Sequence, residues 1–259
     1  MFFVSALINN KIEKPILNLS KQDTALNVDT TIYQLFSAGQ KRLITDLLWI
    51  STLLESDLDH YSKPDLNSWM YHRFKSITTL DPKFEDAYQF GGRYLYIVKD
   101  DILGGKDILE NGVKNYPNNY FINFDLGFLN TFELQDYQSG FLYFDKIKDH
   151  PFAPTNIKSI LVKIKFSLDQ NLEDTFQLVL DIYNKESNES IKYKLFRELY
   201  AIKAMIDLNC LNTSNNPNKN CSMSDYEGAP YLYNGKNYQA AKNYKEFKLH
   251  LNKKSKSTK

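Results

Sequence analysis

Apolar residues recur at helical spacing from about residue 30 to residue 208, and the pattern changes on either side. At the start of that span Leu35, Leu43, Leu47, Ile50 and Leu54 fall largely at helical spacing, with Phe36 and Trp49 beside them. Gly39 bends this segment or separates two helices, and Trp49 reads as a core anchor. Pro64-Asp65 opens the next helix, with Asp65 or Asn67 as its cap and Trp69, Phe74, Ile77 and Leu80 on its apolar side. The pattern then predicts helices over 83–98 and 106–116, 121–132 and 137–149, 154–168 and 172–185, and a last long helix over 190–208.

Punctuation divides these helices into units. Asp81-Pro82, Tyr116-Pro117 and His150-Pro151 each end a helix, and the prolines at 82, 117 and 151 are spaced by 35 and then 34 residues. Glycine recurs with them, as Phe90-Gly91-Gly92 in one unit and Leu126-Gly127 in the next. A fixed period of this size marks stacked helical hairpins. The expected fold is all-α, an α-solenoid of such hairpins with a small C-terminal β-hairpin.

The two ends differ from the middle. Residues 1–8 are apolar but fall short of the roughly 20 residues a membrane span needs. They read as a buried N-terminal segment or as the end of a longer hydrophobic anchor. Residues 9–29 are polar and contain Pro15, as in a loop or extended arm. Residues 210–226 are Asn-rich and interrupted by Pro217. Asn234-Gly235 then lies between the aromatic runs at Tyr231-Leu232-Tyr233 and Tyr238, which predicts a hairpin whose two central residues take positive φ. Beyond it comes a Lys-rich stretch with one acid, Glu246, of the kind that frays. The organisation expected is an N-terminal arm or anchor remnant over 1–29 and a helical repeat domain over 30–208. A Cys loop with its β-hairpin follows over 209–240, and a basic tail over 241–259.

Composition adds little to this and removes several functions. The chain is 42% hydrophobic and 24% charged with a net charge of +1, so bulk attraction to nucleic acid or anionic membrane is not implied. Lys is dispersed among Asp and Glu before the tail, unlike the regular basic lining of a helical-repeat RNA reader. The 18 Tyr and 17 Phe read as filling for helix seams, with an exposed aromatic groove for peptides as the alternative. The four histidines, His60, His72, His150 and His250, have no spaced partners, and no hydrolase, zinc-protease or dinucleotide motif is present. Asp57-Leu58-Asp59-His60-Tyr61 reads as a solvated acidic turn, because its spacing does not hold the ligand types on one face. Gly104-Gly105-Lys106 lacks the upstream glycine and the following hydroxyl of a phosphate loop. No metal and no cofactor is expected. Cys210 and Cys221 cannot make a zinc site alone; they are free thiols or one disulfide, depending on compartment. The residues between them are polar and loop-forming, so the ends of that loop can meet.

Within 120–151, Leu126-Gly127, the small Ser139, the aromatic Tyr143 and the closing Pro151 follow the order and spacing of tetratricopeptide repeats. Residues 83–151 resemble that family, with Asn123 where it places its first aromatic and Lys146 where it places a later alanine. A narrower resemblance rests on Leu43-Ile44-Thr45-Asp46-Leu47-Leu48-Trp49-Ile50, Thr78-Thr79-Leu80-Asp81-Pro82-Lys83-Phe84, Ala87-Tyr88-Gln89-Phe90-Gly91-Gly92 and the hairpin over 228–238. These are similar to a tetratricopeptide-type group of predatory and other delta-type proteobacteria, whose members carry an N-terminal hydrophobic anchor. The resemblance implies an α-solenoid facing the cell envelope, on the periplasmic side of the inner membrane, and implies no activity; the alternative location is cytoplasmic. The function expected is a non-catalytic protein–protein interaction scaffold that takes a protein or peptide partner and no nucleic acid. Gln89, Arg93, Asn123 and Asn130, on the first helices of two units, are its candidate contacts on a concave face. The alternative is an α-helical hydrolase whose carboxylates converge in that face.

Overall fold

The computed structural model describes residues 20–57, 59–154, 156–213 and 221–248. The expected anchor remnant at 1–8 and the tail beyond 248 lie outside the described residues. What is described is mostly helical, with a two-stranded antiparallel sheet near the C-terminus. The chain divides into two compact units, Met1–Ile108 and Leu109–Lys259.

The first unit holds α1 (Lys21–Thr24), α2 (Thr30–Phe36), α3 (Lys41–Leu54), α4 (Trp69–Leu80), α5 (Glu85–Ile97) and the start of α6 (Ile102–Asn115). Gly39 adopts φ +85° between α2 and α3 and so separates two helices, as its freedom from a Cβ allows. Helix α3 packs on α4, and α4 on α5. Trp49 does serve as an anchor, its ring 5.8 Å from that of Phe74 and 5.3 Å from that of Phe84. The cap of α4 differs from expectation: Ser68, not Asp65 or Asn67, accepts the N–H of Tyr71 at 3.1 Å. Asp65 is engaged elsewhere, accepting from the Tyr61 hydroxyl at 2.7 Å and from the Asn67 N–H at 3.1 Å. Ser68 also donates to the fully buried Asp101 at 2.5 Å, and Asp101 accepts the N–H of Gly104 at 2.9 Å. One hydroxyl thereby joins the starts of α4 and α6. Burial holds the Asp101 carboxyl above its usual range despite those two donors.

The second unit holds the end of α6, α7 (Tyr120–Phe128), α8 (Tyr137–Ile147), α9 (Ile157–Asp169), α10 (Leu172–Lys185) and α11 (Glu189–Thr213). Helix α7 is capped by Asn119, and it runs on into a π-helical turn, Leu129–Glu133, which the apolar spacing did not reveal. Each helix from α8 to α11 packs on the one before it. Two apolar cores result. Phe144, Ile147, Ile157, Leu161 and Ile164 centre one, and Val162, Val179, Leu195, Leu199, Ile202 and Phe247 make the other. Helix α9 feeds both, with Val162 on one side and Leu161 and Ile164 on the other. The recurring glycines serve unlike contacts. Gly91 lies against Phe74 of the preceding helix, whereas Gly127 lies against Phe144 of the following one.

Helix α11 is longer than its apolar period, so Cys210 sits inside it rather than in a loop. A disulfide joins Cys210 to Cys221 with the Cα atoms 5.8 Å apart. The hairpin follows as β1 (Leu232–Tyr233) and β2 (Tyr238–Gln239), with Leu232 opposite Gln239 and Tyr233 opposite Tyr238. Its turn differs in detail from the Asn-Gly reading. Only Gly235 has positive φ, while the Asn234 side chain accepts the N–H groups of Lys236 and Asn237 at 3.0 and 2.9 Å. An isolated two-stranded ribbon is marginal in water, and this one is docked. The Asn212 side chain on α11 accepts the Tyr238 N–H at 2.7 Å and donates to the Tyr238 carbonyl at 3.1 Å, acting as a further strand residue.

Candidate functional site

The residues expected to line a binding face are mostly interior. Gln89 is 8% exposed, and Asn123 and Asn130 are both 0% exposed; Arg93 is half-buried. Gln89 and Arg93 belong to the first unit, Asn123 and Asn130 to the second. The reason for the burial of the two asparagines is local. Asn123 Nδ2 donates to the carbonyls of Asn119 at 2.7 Å and Pro117 at 3.0 Å, tying down the turn before α7. Asn130, in the π-helical stretch, donates Nδ2 to the Leu126 carbonyl of α7 at 2.8 Å. Both Nδ2 groups are spent on backbone carbonyls, and with both side chains fully buried neither residue is available as a surface contact.

An open cavity of about 510 Å³ lies elsewhere in the second unit, between the first half of α9, the middle of α11 and residues 242–248. Its wall is built from the C-terminal segment, which is anchored at several points. Phe247 is 2% exposed, packs 5.8 Å from the Phe166 ring and donates its N–H to Met205 Sδ at 3.4 Å. The expected frayed tail is thus held as far as Phe247, because one aromatic among its lysines enters the core. Upstream, Tyr231 donates its hydroxyl to Asp207 at 2.8 Å, and Tyr200 donates to Asp225 at 2.8 Å. Burial first, and then the hydrogen bond to Asp225, pushes the Tyr200 phenol up to about 12. The Tyr231 phenol is raised for the same reasons, with Asp207 as its acceptor. At Asp225 burial acts upward, but it is outweighed by donation from Tyr200 and from the N–H groups of Ala229 and Glu227, so the carboxyl lies below its usual range.

Inside the cavity the acids are already engaged. Glu198 accepts from Ser159 Oγ at 2.7 Å and from Lys163 Nζ at 2.5 Å, and the Lys163 ammonium stands 5.5 Å from the centre of the Phe247 ring. Glu227 pairs with Lys242, and Glu246 with Lys248 at 2.6 Å. Glu186 accepts the N–H groups of Ser187 and Asn188 at 2.9 and 2.8 Å. Three exposed cations on the rim, Lys194, Arg197 and Lys245, have no carboxylate partner among the described residues. The site therefore presents uncompensated positive charge over an aromatic lining that includes Tyr193, Phe196 and Tyr244. An isolated, desolvated carboxylate pair of the glycosidase kind does not occur in it. Among the described residues no group of three His, Cys, Asp or Glu side chains could hold a metal ion, and Asp57 of the acidic turn is paired with Lys99. Likewise, no helix among them is long and apolar enough to cross a membrane.

Sequence reading missed this cavity. The visible signals were the basic positions Lys194 and Arg197 one helical turn apart, and Phe247 isolated in a Lys-rich stretch. Only the fold brings residues 242–248 back over α9 and α11. No family model matches the chain, and no curated protein matches it.

Proposed function

We propose that this protein is a non-catalytic interaction scaffold that holds an acidic, aromatic-containing peptide segment of a partner protein in the α9–α11 groove. The observation that carries the reading is the charge state of the groove. Its carboxylates are satisfied by neighbours, while Lys194, Arg197 and Lys245 face solvent around an aromatic lining. A partner carboxylate meets steering charge there without displacing an existing pair, and aromatic side chains supply contact area. We also propose that the helical hairpins stack as a tetratricopeptide-like α-solenoid, supported by the successive packing of α7 to α11 and by the proline period. A setting at the cell envelope, on the periplasmic side of the inner membrane, is supported by the Cys210–Cys221 bridge, since disulfides persist in oxidising compartments.

The test is fluorescence anisotropy with a labelled Glu/Asp-rich peptide carrying aromatic residues, alongside a control peptide with Lys in place of its acids. Saturable binding of the acidic peptide is expected, weakened about tenfold or more by Lys194→Glu combined with Arg197→Glu, and reduced by salt. Equal binding by the wild-type and charge-reversed proteins, or preference for the basic peptide, would overturn the assignment.

A further inference from the structure

The outward side of α3 carries an apolar stripe that no described element covers. Leu43, Leu47, Ile50 and Leu54 are 55%, 58%, 52% and 81% exposed, and α2 adds Leu35 and Phe36 at 75% and 80%. The other side of α3 is buried through Thr45, Leu48 and Thr52. Single exposed leucines are ordinary on a protein surface, but a run of them along one helix face marks an interface. Among the described helices, α3 is packed by α2 and α4. Neither of these neighbours covers the stripe, whose leucines and isoleucine stay more than half exposed.

We propose that a second copy of this chain packs antiparallel on this stripe about a two-fold axis. The spacing is the first argument. Positions 43, 47, 50 and 54 alternate by four, three and four residues, the spacing of a coiled-coil seam, with the exposed Leu53 flanking it. A two-fold axis passing between Leu47 and Ile50 sets each Leu43 opposite a Leu54 and each Leu47 opposite an Ile50, so every layer is apolar and the patch is its own complement.

Charge is the second argument. Lys41 and Arg42, at the start of α3, are exposed and have no carboxylate partner among the described residues. Just past its end the carboxylate of Glu55 is already paired with Lys21 at 2.9 Å, and that of Asp59 is exposed. Antiparallel packing brings the basic start of each helix toward the exposed Asp59 at the end of the other and opposes the two helix dipoles. Parallel packing would set Lys41 and Arg42 against their own copies. Area is the third argument. The exposed apolar groups of α2 and α3 offer on the order of 600 Å² per copy, close to the roughly 800 Å² per partner of a standard specific interface.

Sedimentation equilibrium of the full chain over a wide concentration range tests the proposal. A reversible dimer is expected, and Leu47→Glu combined with Ile50→Glu should abolish it with the circular dichroism spectrum unchanged, because both positions are exposed within one copy. Geometry is read by oxidising a mixture of Leu43→Cys and Leu54→Cys proteins. The antiparallel seam yields the mixed 43–54 cross-link and no 43–43 cross-link, since eleven helical residues, about 16 Å of rise, separate the latter pair. A monomer at all concentrations would overturn the proposal, as would a dimer that survives the double Glu variant or a dominant 43–43 cross-link. A monomer whose stripe instead binds anionic vesicles would overturn it in favour of a membrane surface.

Discussion

Substitution of Gly127 sets two opposed effects against each other in a place where the structure decides the sign. In an exposed helix Gly→Ala gains about 0.8–1 kcal/mol from propensity. At Gly127 an added Cβ would lie 2.7 Å from Phe144 Cδ1 and 2.8 Å from Cε1, closer than real Cβ contacts come. The ring cannot retreat easily. Phe144 is 1% exposed and packs edge-on to Phe124 with centroids 5.8 Å apart and planes at 67°. Overpacking of this kind costs about 1–3 kcal/mol, so Gly127→Ala should be destabilising despite its helical gain, and Gly127→Leu more so, by about 1–3 kcal/mol net. A double-mutant cycle in urea denaturation separates the causes. Phe144→Leu alone should destabilise by leaving a cavity, yet combined with Gly127→Ala it should recover part of the loss, with a coupling of about 0.5 kcal/mol or more. Strict additivity, or a Gly127→Ala protein more stable than wild type, would refute the claim that the α7–α8 seam is closed by that ring.

Three further outcomes follow from the C-terminal region. Replacing Cys210 and Cys221 by Ser should lower stability by about 3 kcal/mol, the chain-entropy value for a bridge of sequence separation 11, measured as a shift in urea midpoint. Asn212→Ala should free β2 at a cost of about 1–2 kcal/mol and accelerate hydrogen exchange at Tyr238, whose N–H it now holds; unchanged exchange would show that the hairpin docks by other means. Tyr200 titrates near 12 in the folded chain against an ordinary 10, so its contribution is fully present below pH 10 and is lost as pH rises toward 12. Wild type should therefore lose more stability across that interval than Tyr200→Phe, and parallel curves would remove Tyr200 from the account.

The succession of helices was legible because each depends on neighbours in the chain. Apolar spacing places an amphipathic face wherever tertiary partners lie, and proline removes a backbone donor regardless of them, so helices ended near Pro82, Pro117 and Pro151 as read. The same locality made the Gly39 break and the Asn-Gly hairpin visible. Side-chain contacts that apolar spacing does not report decided the rest. Ser68 displaced Asp65 as a cap because Asp65 is drawn to Tyr61, and α11 extends past its apolar period because Asn212 and Cys210 find partners at Tyr238 and Cys221. Asn123 and Asn130 looked like surface contacts, since helical spacing cannot tell a solvated amide from one buried against a turn carbonyl. The groove depends on Phe247 reaching the core from the far end of the chain, a pairing with no local signature. Sequence by itself thus determined the helical order, its breaks and the two cysteines' freedom to meet, all governed by short-range sterics and periodicity. The cavity, the exposed cations on its rim and the apolar stripe left open on α3 were decided by tertiary structure alone, because burial and charge compensation belong to residues that meet only after the chain has folded.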